Sequence, residues 1–312
     1  MLTVYKRELD GDILRKTSTI ERGCWINLEK PNEKEIDEVI KKTGVLEEYV
    51  RCSLDEEERA RVDTEDNETL IILDMPYTFK DDDEEKQSTI PMGIIITEDY
   101  IVTVCSVQND IIEKMISLNK KNLFSYKKTR LAIQMILSIA KEFLRRLRII
   151  EKQLNRLEDD AREKAENREV FKLLEIQNTL VYFTTSLKGN EIIMEKLMRT
   201  PNVKMYEEDQ DVLEDAIIEN RQAIEMASIY QQITMGLVDA FGSIISNNLN
   251  EVMKFLASLT IVLSIPTMIF SFYGMNVPLP LEGSPYAIIL ILVGTALLTY
   301  VSYFILKKSK LI

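Results

Sequence analysis

Tyr273-Gly274-Met275-Asn276 closes one long apolar stretch and stands just before another. No charged residue occurs from Phe255 to Leu281, and none from Gly283 to Leu306. Each stretch exceeds the roughly 20 residues a helix needs to cross the hydrocarbon core of a bilayer. Between them, Val277 to Pro285 holds three prolines and one glycine, which break helix and favour a tight loop. Two membrane crossings near the C-terminal end are therefore expected, with Gly274-Met275-Asn276 marking the turn. Lys307, Lys308 and Lys310 follow the second stretch, Lys254 precedes the first, and the loop carries no Lys or Arg. Positive charge is retained on the cytoplasmic side, so both termini of a cell-membrane protein are expected in the cytoplasm. Tyr286 near one end of the second span, and Tyr300, Tyr303 and Phe304 near the other, suit the two lipid interfaces.

Composition excludes several chemistries. The 312 residues contain no histidine, which rules out Ser-His and Cys-His catalysis and imidazole metal sites. Metal chemistry here must use oxygen ligands, which favour hard ions such as Mg²⁺. The net charge of −12 argues against nucleic acid as a partner and suits attraction of cations. Cys24, Cys52 and Cys105 are widely spaced and odd in number, so they read as thiols in a reducing compartment. The start, Met1 to Arg7, is charged and lacks an apolar core, so no signal peptide is expected. No nucleophile–base pair or phosphate-binding glycine loop points to an enzyme.

Ahead of the spans the pattern changes twice. Residues 1–123 mix strands and short helices as an α/β domain. Leu2–Lys6, Cys24–Leu28 and the apolar run Thr69–Tyr77 are expected as strands, the last of them central. Gly93–Thr97 and Tyr100–Cys105 are expected as a hairpin around Glu98-Asp99. Asn32–Lys42, between Pro31 and Gly44, and Leu46–Leu54 are expected as helices. Lys80–Lys86 is a charge run, expected as a solvated hairpin loop. Residues 124–203 form a helical hairpin: Ile133, Ile136, Ala140, Phe143, Leu147, Ile150, Leu154, Leu157 and Ala161 follow heptad spacing. Its second helix, about Glu169 to Met198, has Leu173, Ile176, Leu180, Phe183 and Leu187 on one face. No proline occurs between Pro201 and Pro266, so one helix can run from about Glu207 to Tyr273, roughly 100 Å at about 1.5 Å per residue. Residues 204–252 would be its stalk, 253–275 the first span, 276–285 the outer loop, and 286–312 the second span with a basic tail.

One face of the first span stands apart. Asn250, Met253, Ala257, Thr260, Ser264, Thr267, Ser271 and Gly274 recur at three- and four-residue spacing, and all but Met253 are small or polar. Phe255, Leu259, Val262, Leu263, Ile269 and Phe270 occupy the other faces. A tight helix–helix contact explains small residues, because they let helices approach closely in lipid. A pore wall explains the hydroxyls, and a packing seam alone does not need Asn250 at one end and Asn276 at the other. Two spans cannot enclose a pore, so a pore would lie on the axis of an oligomer.

The Tyr273–Asn276 motif between two C-terminal spans, with Asn250-Glu251-Val252-Met253, Ile265-Pro266-Thr267 and Lys307-Lys308, resembles the CorA family of divalent-cation channels. The architectural likeness covers the whole chain, and the sequence likeness is close from about Gly236 onward. The resemblance implies a homopentamer in membrane lipid that passes Mg²⁺ and takes divalent cations as its partners. It implies a selectivity filter of Gly274, Met275 and Asn276, with amide oxygens reading the hydration shell of Mg²⁺. Gly274 is expected to let the backbone turn without a Cβ penalty. Glu282, the one charge in the outer loop, would concentrate cations at the mouth, or is simply an exposed acid. Met253 and Leu256 match positions of a hydrophobic constriction that can dewet, with core packing as the plain alternative.

The resemblance further implies closure by intracellular Mg²⁺ bridging neighbouring cytoplasmic domains. Asp215 matches one partner, with Asp211 one turn earlier. The other side aligns on Arg59-Ala60-Arg61-Val62, where Cys52 stands in place of an aspartate. Asp55, Glu56, Glu57 and Glu58 lie nearby as substitutes. Two alternatives remain: a zinc or cobalt transporter of the same superfamily, carrying Co²⁺ or Zn²⁺, and a membrane-anchored coiled-coil sensor whose spans only anchor.

Overall fold

A computed structural model describes residues 1–7, 13–81, 84–119, 121–163, 167–199, 205–277, 280 and 285–309. The chain falls into two units, Met1–Leu237 apart from Lys164–Glu166, and a second that includes Val238–Ile312.

The first unit is built on a seven-stranded sheet. In chain order the strands are β1 (Leu2–Lys6), β2 (Arg15–Thr17), β3 (Trp25–Glu29), β4 (Arg61–Glu65), β5 (Glu68–Asp81), β6 (Glu84–Ile96) and β7 (Ile101–Cys105). Their spatial order is β2-β1-β3-β7-β6-β5-β4. Every neighbouring pair is antiparallel except β3 with β7, where Trp25 lies beside Ile101 and Glu29 beside Cys105. The helices of this unit are α1 (Glu33–Thr43), α2 (Glu47–Cys52), α3 (Ile111–Asn119), α4 (Lys128–Glu163), α5 (Asn167–Arg199) and the first part of α6 (Glu207–Tyr273).

Helix α1 starts and stops where its residue types dictate. Asn32 and Glu35 form a reciprocal capping box, and Gly44 ends the helix at φ 74°, a conformation only glycine adopts freely. One sheet face carries Ile26, Leu28, Leu70, Ile72, Ile95, Val102 and Val104, packed with Ile36 and Val39 of α1 and Tyr49 and Val50 of α2. Alternate residues Ile71, Leu73, Ile94 and Ile101 are also buried, on the face where α4 and α5 meet β5 and β6. A sheet covered on both faces accounts for the nearly unbroken apolar run of β5.

Strands β5 and β6 extend far beyond their neighbours. Their pairing continues to Asp81↔Glu84, whereas β4 stops opposite Ile72 and β7 opposite Met92. Most of the Lys80–Lys86 charge run is therefore paired strand and not loop. Pro76 and Pro91 lie in this overhang, so their missing N–H groups interrupt no ladder. On the side vacated by β4, Asn190 of α5 takes the place of a strand. The Asp74 amide donates to Asn190 Oδ1 at 2.9 Å, and Asn190 Nδ2 donates to the Asp74 carbonyl at 2.7 Å.

The helical hairpin of α4 and α5 is antiparallel. Phe143 meets Phe183 edge-on at 5.2 Å, while Ile150 and Leu157, further along α4, lie near Ile176 and Lys172, earlier on α5. The seam residues Ile133, Ile136, Ala140, Phe143, Leu147, Ile150, Leu154 and Leu157 are buried. Ala161 lies outside the described side chains. Asn220 Nδ2 on α6 donates to the Leu187 carbonyl at 2.9 Å, tying α6 to α5.

Gly93 has a packing reason. A Cβ there would come within 1.9 Å of Ser53 Oγ and 2.5 Å of Ser53 Cβ, and Ser53 is itself buried at the end of α2. Gly93→Ala is expected to destabilise the protein by about 1–3 kcal/mol through overpacking. Its thermal midpoint should fall, and Ser53→Gly in the same chain should recover part of the loss. An unchanged midpoint would show that α2 can yield without cost.

The second unit contains the rest of α6 and α7 (Ala287–Lys308). Both helices are long and apolar enough to cross a bilayer.

Candidate functional site: the first span and the Gly-Met-Asn turn

The apolar part of α6 has two unlike flanks. Ser258, Val262, Ile265, Pro266, Ile269 and Tyr273 are buried or half-buried. Ile265, Met268 and Ile269 share an apolar cleft with Leu298, Val301, Ser302, Ile305 and Leu306 of α7. Asn250, Met253, Leu256, Ala257, Thr260, Ser264, Thr267, Ser271 and Gly274 are all exposed in the single chain. At about 100° per residue the exposed stripe lies roughly opposite the buried flank. The small and polar residues therefore do not form the seam between the two spans of one chain.

Three of the stripe's four hydroxyls bond back to their own helix. Thr260 Oγ1 donates to the Leu256 carbonyl at 2.8 Å, Ser264 Oγ to Thr260 O at 2.7 Å, and Thr267 Oγ1 to Leu263 O at 2.8 Å. Each spends its one proton on the helix four residues back, so its oxygen faces outward as an acceptor. Pro266 cannot donate to the Val262 carbonyl, and this break in the helix ladder lies on the buried flank, away from the stripe.

Helix α6 ends at Tyr273. The Gly274 amide still reaches Phe270 O at 3.0 Å and Ser271 O at 3.2 Å, and the Met275 amide reaches Phe272 O at 3.3 Å. Glycine is placed here for closeness and not for a left-handed turn. Among the described glycines only Gly23 and Gly44 have positive φ. A Cβ on Gly274 would press on Phe270 O at 3.3 Å and Ser271 O at 3.4 Å. Met275 and Asn276 follow as exposed residues. The motif thus sits on the C-terminal end of a helix whose last turn has no basic residue. Unpaired carbonyls and the helix dipole make such an end attractive to cations.

The remaining predicted residues lie elsewhere. Asp211 and Asp215 are exposed on α6, while Leu213, Ala216 and Ile217 of the same turns are buried. Asp55 is exposed after α2 and accepts the Glu57 amide at 3.0 Å. Among the described residues no three or more acidic or cysteine side chains gather as a metal site within the single chain. Glu282 and Lys310 lie outside the described residues. Sequence reasoning missed Ser258, a buried hydroxyl on the packed flank. Its spacing of four and seven from Val262 and Ile265 was the available signal.

Comparison with known proteins bears on this arrangement. The sequence model for "CorA-like Mg2+ transporter protein" matches residues 21–308. The cobalt/magnesium transport protein CorA of Methanocaldococcus jannaschii is 28% identical over 319 residues, covering 99% of both chains. The complete structure of that organism's CorA magnesium transporter superposes with a TM-score of 0.83 at 26% identity, covering 100% of this chain and 99% of the other. The ZntB cytoplasmic domain of Vibrio parahaemolyticus has a TM-score of 0.61 at 14% identity, covering 80% of this chain and 98% of that one, a likeness of fold alone.

Proposed function

The chain belongs to the CorA-like Mg²⁺ transporter family, and from that premise we propose that it passes hydrated Mg²⁺ down its electrochemical gradient through an oligomeric pore. Co²⁺ is the second cargo, since the full-length relative is a cobalt/magnesium transport protein. The observation that carries this proposal is the stripe of small and polar residues on the side of α6 away from the cleft with α7. The hydroxyl oxygens of Thr260, Ser264 and Thr267 are left as acceptors, their protons directed at the helix backbone. A hydrated dication presents outward-pointing O–H donors, and Mg²⁺ gives up its water reluctantly. An acceptor wall therefore suits the ion with its shell intact.

Gly274, Met275 and Asn276 form the filter in this proposal, with Asn276 amides ringing the outer mouth. Asn250 stands at the cytoplasmic end, and Met253 and Leu256 form a constriction that closes by dewetting. Five copies surround the axis, both termini face the cytoplasm, and Glu282 attracts cations to the entrance. Flux into liposomes carrying the purified protein tests the proposal, with Mg²⁺, Co²⁺ and Zn²⁺ supplied separately and oligomeric state read by native mass spectrometry. Mg²⁺ and Co²⁺ entry through a five-copy assembly is expected. Zn²⁺ entry without Mg²⁺ would establish the zinc alternative, and an intact assembly passing no ion would favour a membrane-anchored sensor.

Regulation is proposed at Asp211 and Asp215 facing Asp55 of a neighbouring copy. Acidic faces repel until a divalent ion sits between them, and the ion shifts the population only by its differential affinity for the closed state. Mg²⁺ is expected to protect α6 from protease in the natural protein and not in Asp211→Ala with Asp215→Ala. Equal protection of both would move the sensor elsewhere.

A further inference from the structure

The cleft between α6 and α7 encloses about 400 Å³, and Ser302 is the one hydroxyl among its apolar walls. We propose that it holds one acyl chain of an anionic phospholipid whose phosphate rests on Lys307 and Lys308. The inference rests on the pore reading, which turns the stripe of α6 toward the axis and the opposite flank toward lipid. The volume lies within the range of small-molecule sites.

Depth and shape select the chain. Met268, Leu298, Val301 and Ile305 line the cleft and are exposed in the single chain. The hydrocarbon core has no water to fill such a groove, so a lipid chain or another helix must. Helices approach closely where side chains are small. Those of α6, Ala257, Ser264 and Gly274, are on the stripe and not in the cleft, whose walls are long or branched. From Leu298 to Leu306 the lining follows α7 for about 12 Å, at about 1.5 Å per residue. That is close to half of the roughly 30 Å hydrocarbon core, the share of one leaflet. Charge at one end selects the headgroup. Lys307 and Lys308 follow directly on Leu306, the last residue of the cleft, and both are exposed. From Phe255 to Leu306 the one acid is Glu282 in the outer loop, so no carboxylate within the spans competes for these lysines. Long lysine side chains reach from the end of a span to the level of the phosphates. Basic pockets between spans bind anionic headgroups. A zwitterionic headgroup brings its own cation to the same place and gains less.

Full-length protein in detergent should be titrated with phosphatidylglycerol and phosphatidylcholine of identical chains, and with glycerophosphoglycerol, which has no chains. Native mass spectrometry reads what is bound. One phosphatidylglycerol per chain is expected, held at least about tenfold more tightly than phosphatidylcholine. Glycerophosphoglycerol should not bind. Lys307→Ala with Lys308→Ala should remove the preference between the two lipids. Both side chains are exposed, so the thermal midpoint should hold. Ser302→Phe, which fills the cleft, should weaken both lipids at least about tenfold and leave the assembly intact. Equal affinity for the two lipids, a preference that survives the double variant, or binding unmoved by Ser302→Phe would overturn the proposal. Loss of the assembly in Ser302→Phe would put a neighbouring copy in the cleft and overturn it too. Ion flux is measured separately on the same preparations, so failure of the lipid site and failure of the pore are distinguishable.

Discussion

Asn276→Ala is expected to abolish Mg²⁺ uptake while expression, assembly and thermal midpoint stay as in the natural protein. Asn276 is exposed beyond the end of α6, so its truncation opens no cavity and breaks no described core contact. What is lost is an amide oxygen at the negative end of a long helix, repeated in every copy around the proposed axis. Removing a ring of acceptors from the entrance deprives the hydration shell of its partners at every point of the circle at once. Flux should fall to the level of protein-free liposomes. Near-normal flux in an intact assembly would remove the filter role from Asn276.

The second large effect lies in the fold. Glu142 and Arg146 of α4 are each 6% exposed and joined at 3.1 Å, and Arg146 Nη1 also donates to Thr78 Oγ1 at 2.6 Å. Arg145 adds two hydrogen bonds to the same carboxylate, at 2.6 and 2.7 Å. Burial raises the Glu142 pKa, but the bond from Arg145 and the charges of Arg146, Arg145 and Lys114 outweigh it, so the net shift is downward. Glu142→Ala leaves the buried Arg146 with its hydrogen bond to Thr78 and the more remote charge of Asp110, and the expected cost is about 3 kcal/mol. Because the folded pKa is depressed, the carboxylate's contribution is fully present above the ordinary value of 4.5 and is lost as pH falls below it. The gap in thermal midpoint between the natural protein and Glu142→Ala should therefore narrow below pH 4.5. A constant gap would assign the loss to packing alone.

Glu29 behaves oppositely. Burial pushes its carboxyl up, with the Asn27 hydrogen bond only partly offsetting this. Its charge therefore costs stability at neutral pH, and acidification through the raised value relieves that cost.

Long periodic segments were legible from residues alone. The Glu207–Tyr273 helix matches its expected limits, because no proline interrupts Asn202 to Ile265 and its apolar half is continuous. β1 and α1 were legible for local reasons, an apolar alternation and a capping box. β2, whose residues are Arg15, Lys16 and Thr17, carries no apolar signal, since only its pairing with Val4–Lys6 makes it a strand. β4 is likewise polar, and α3 spans only nine residues. Thr69–Tyr77 was recognised as strand, but its extension to Asp81 depends on pairing with residues whose charges mimic a loop.

In the candidate site, spacing revealed the stripe on α6 but not its direction. α7 is apolar all round, so nothing in its sequence says which flank of α6 it covers. Asp55, Asp211 and Asp215, proposed above as a regulatory site, are surface groups in one chain, and any ion between neighbouring copies depends on contacts that a single sequence does not encode locally.

The bond between Asn190 and the Asp74 backbone has a consequence for measuring how the first unit opens. Peptide amides in a sheet normally exchange their hydrogens when strands part. The Asp74 amide is held instead by a side chain on α5, more than a hundred residues away in sequence. Its exchange rate therefore reports the undocking of a helix, not the fraying of a ladder. Beside the amides of Ile71 and Leu73, which lie in the β5–β6 ladder, it gives one chain two clocks, one for the sheet and one for the helix that lies across it.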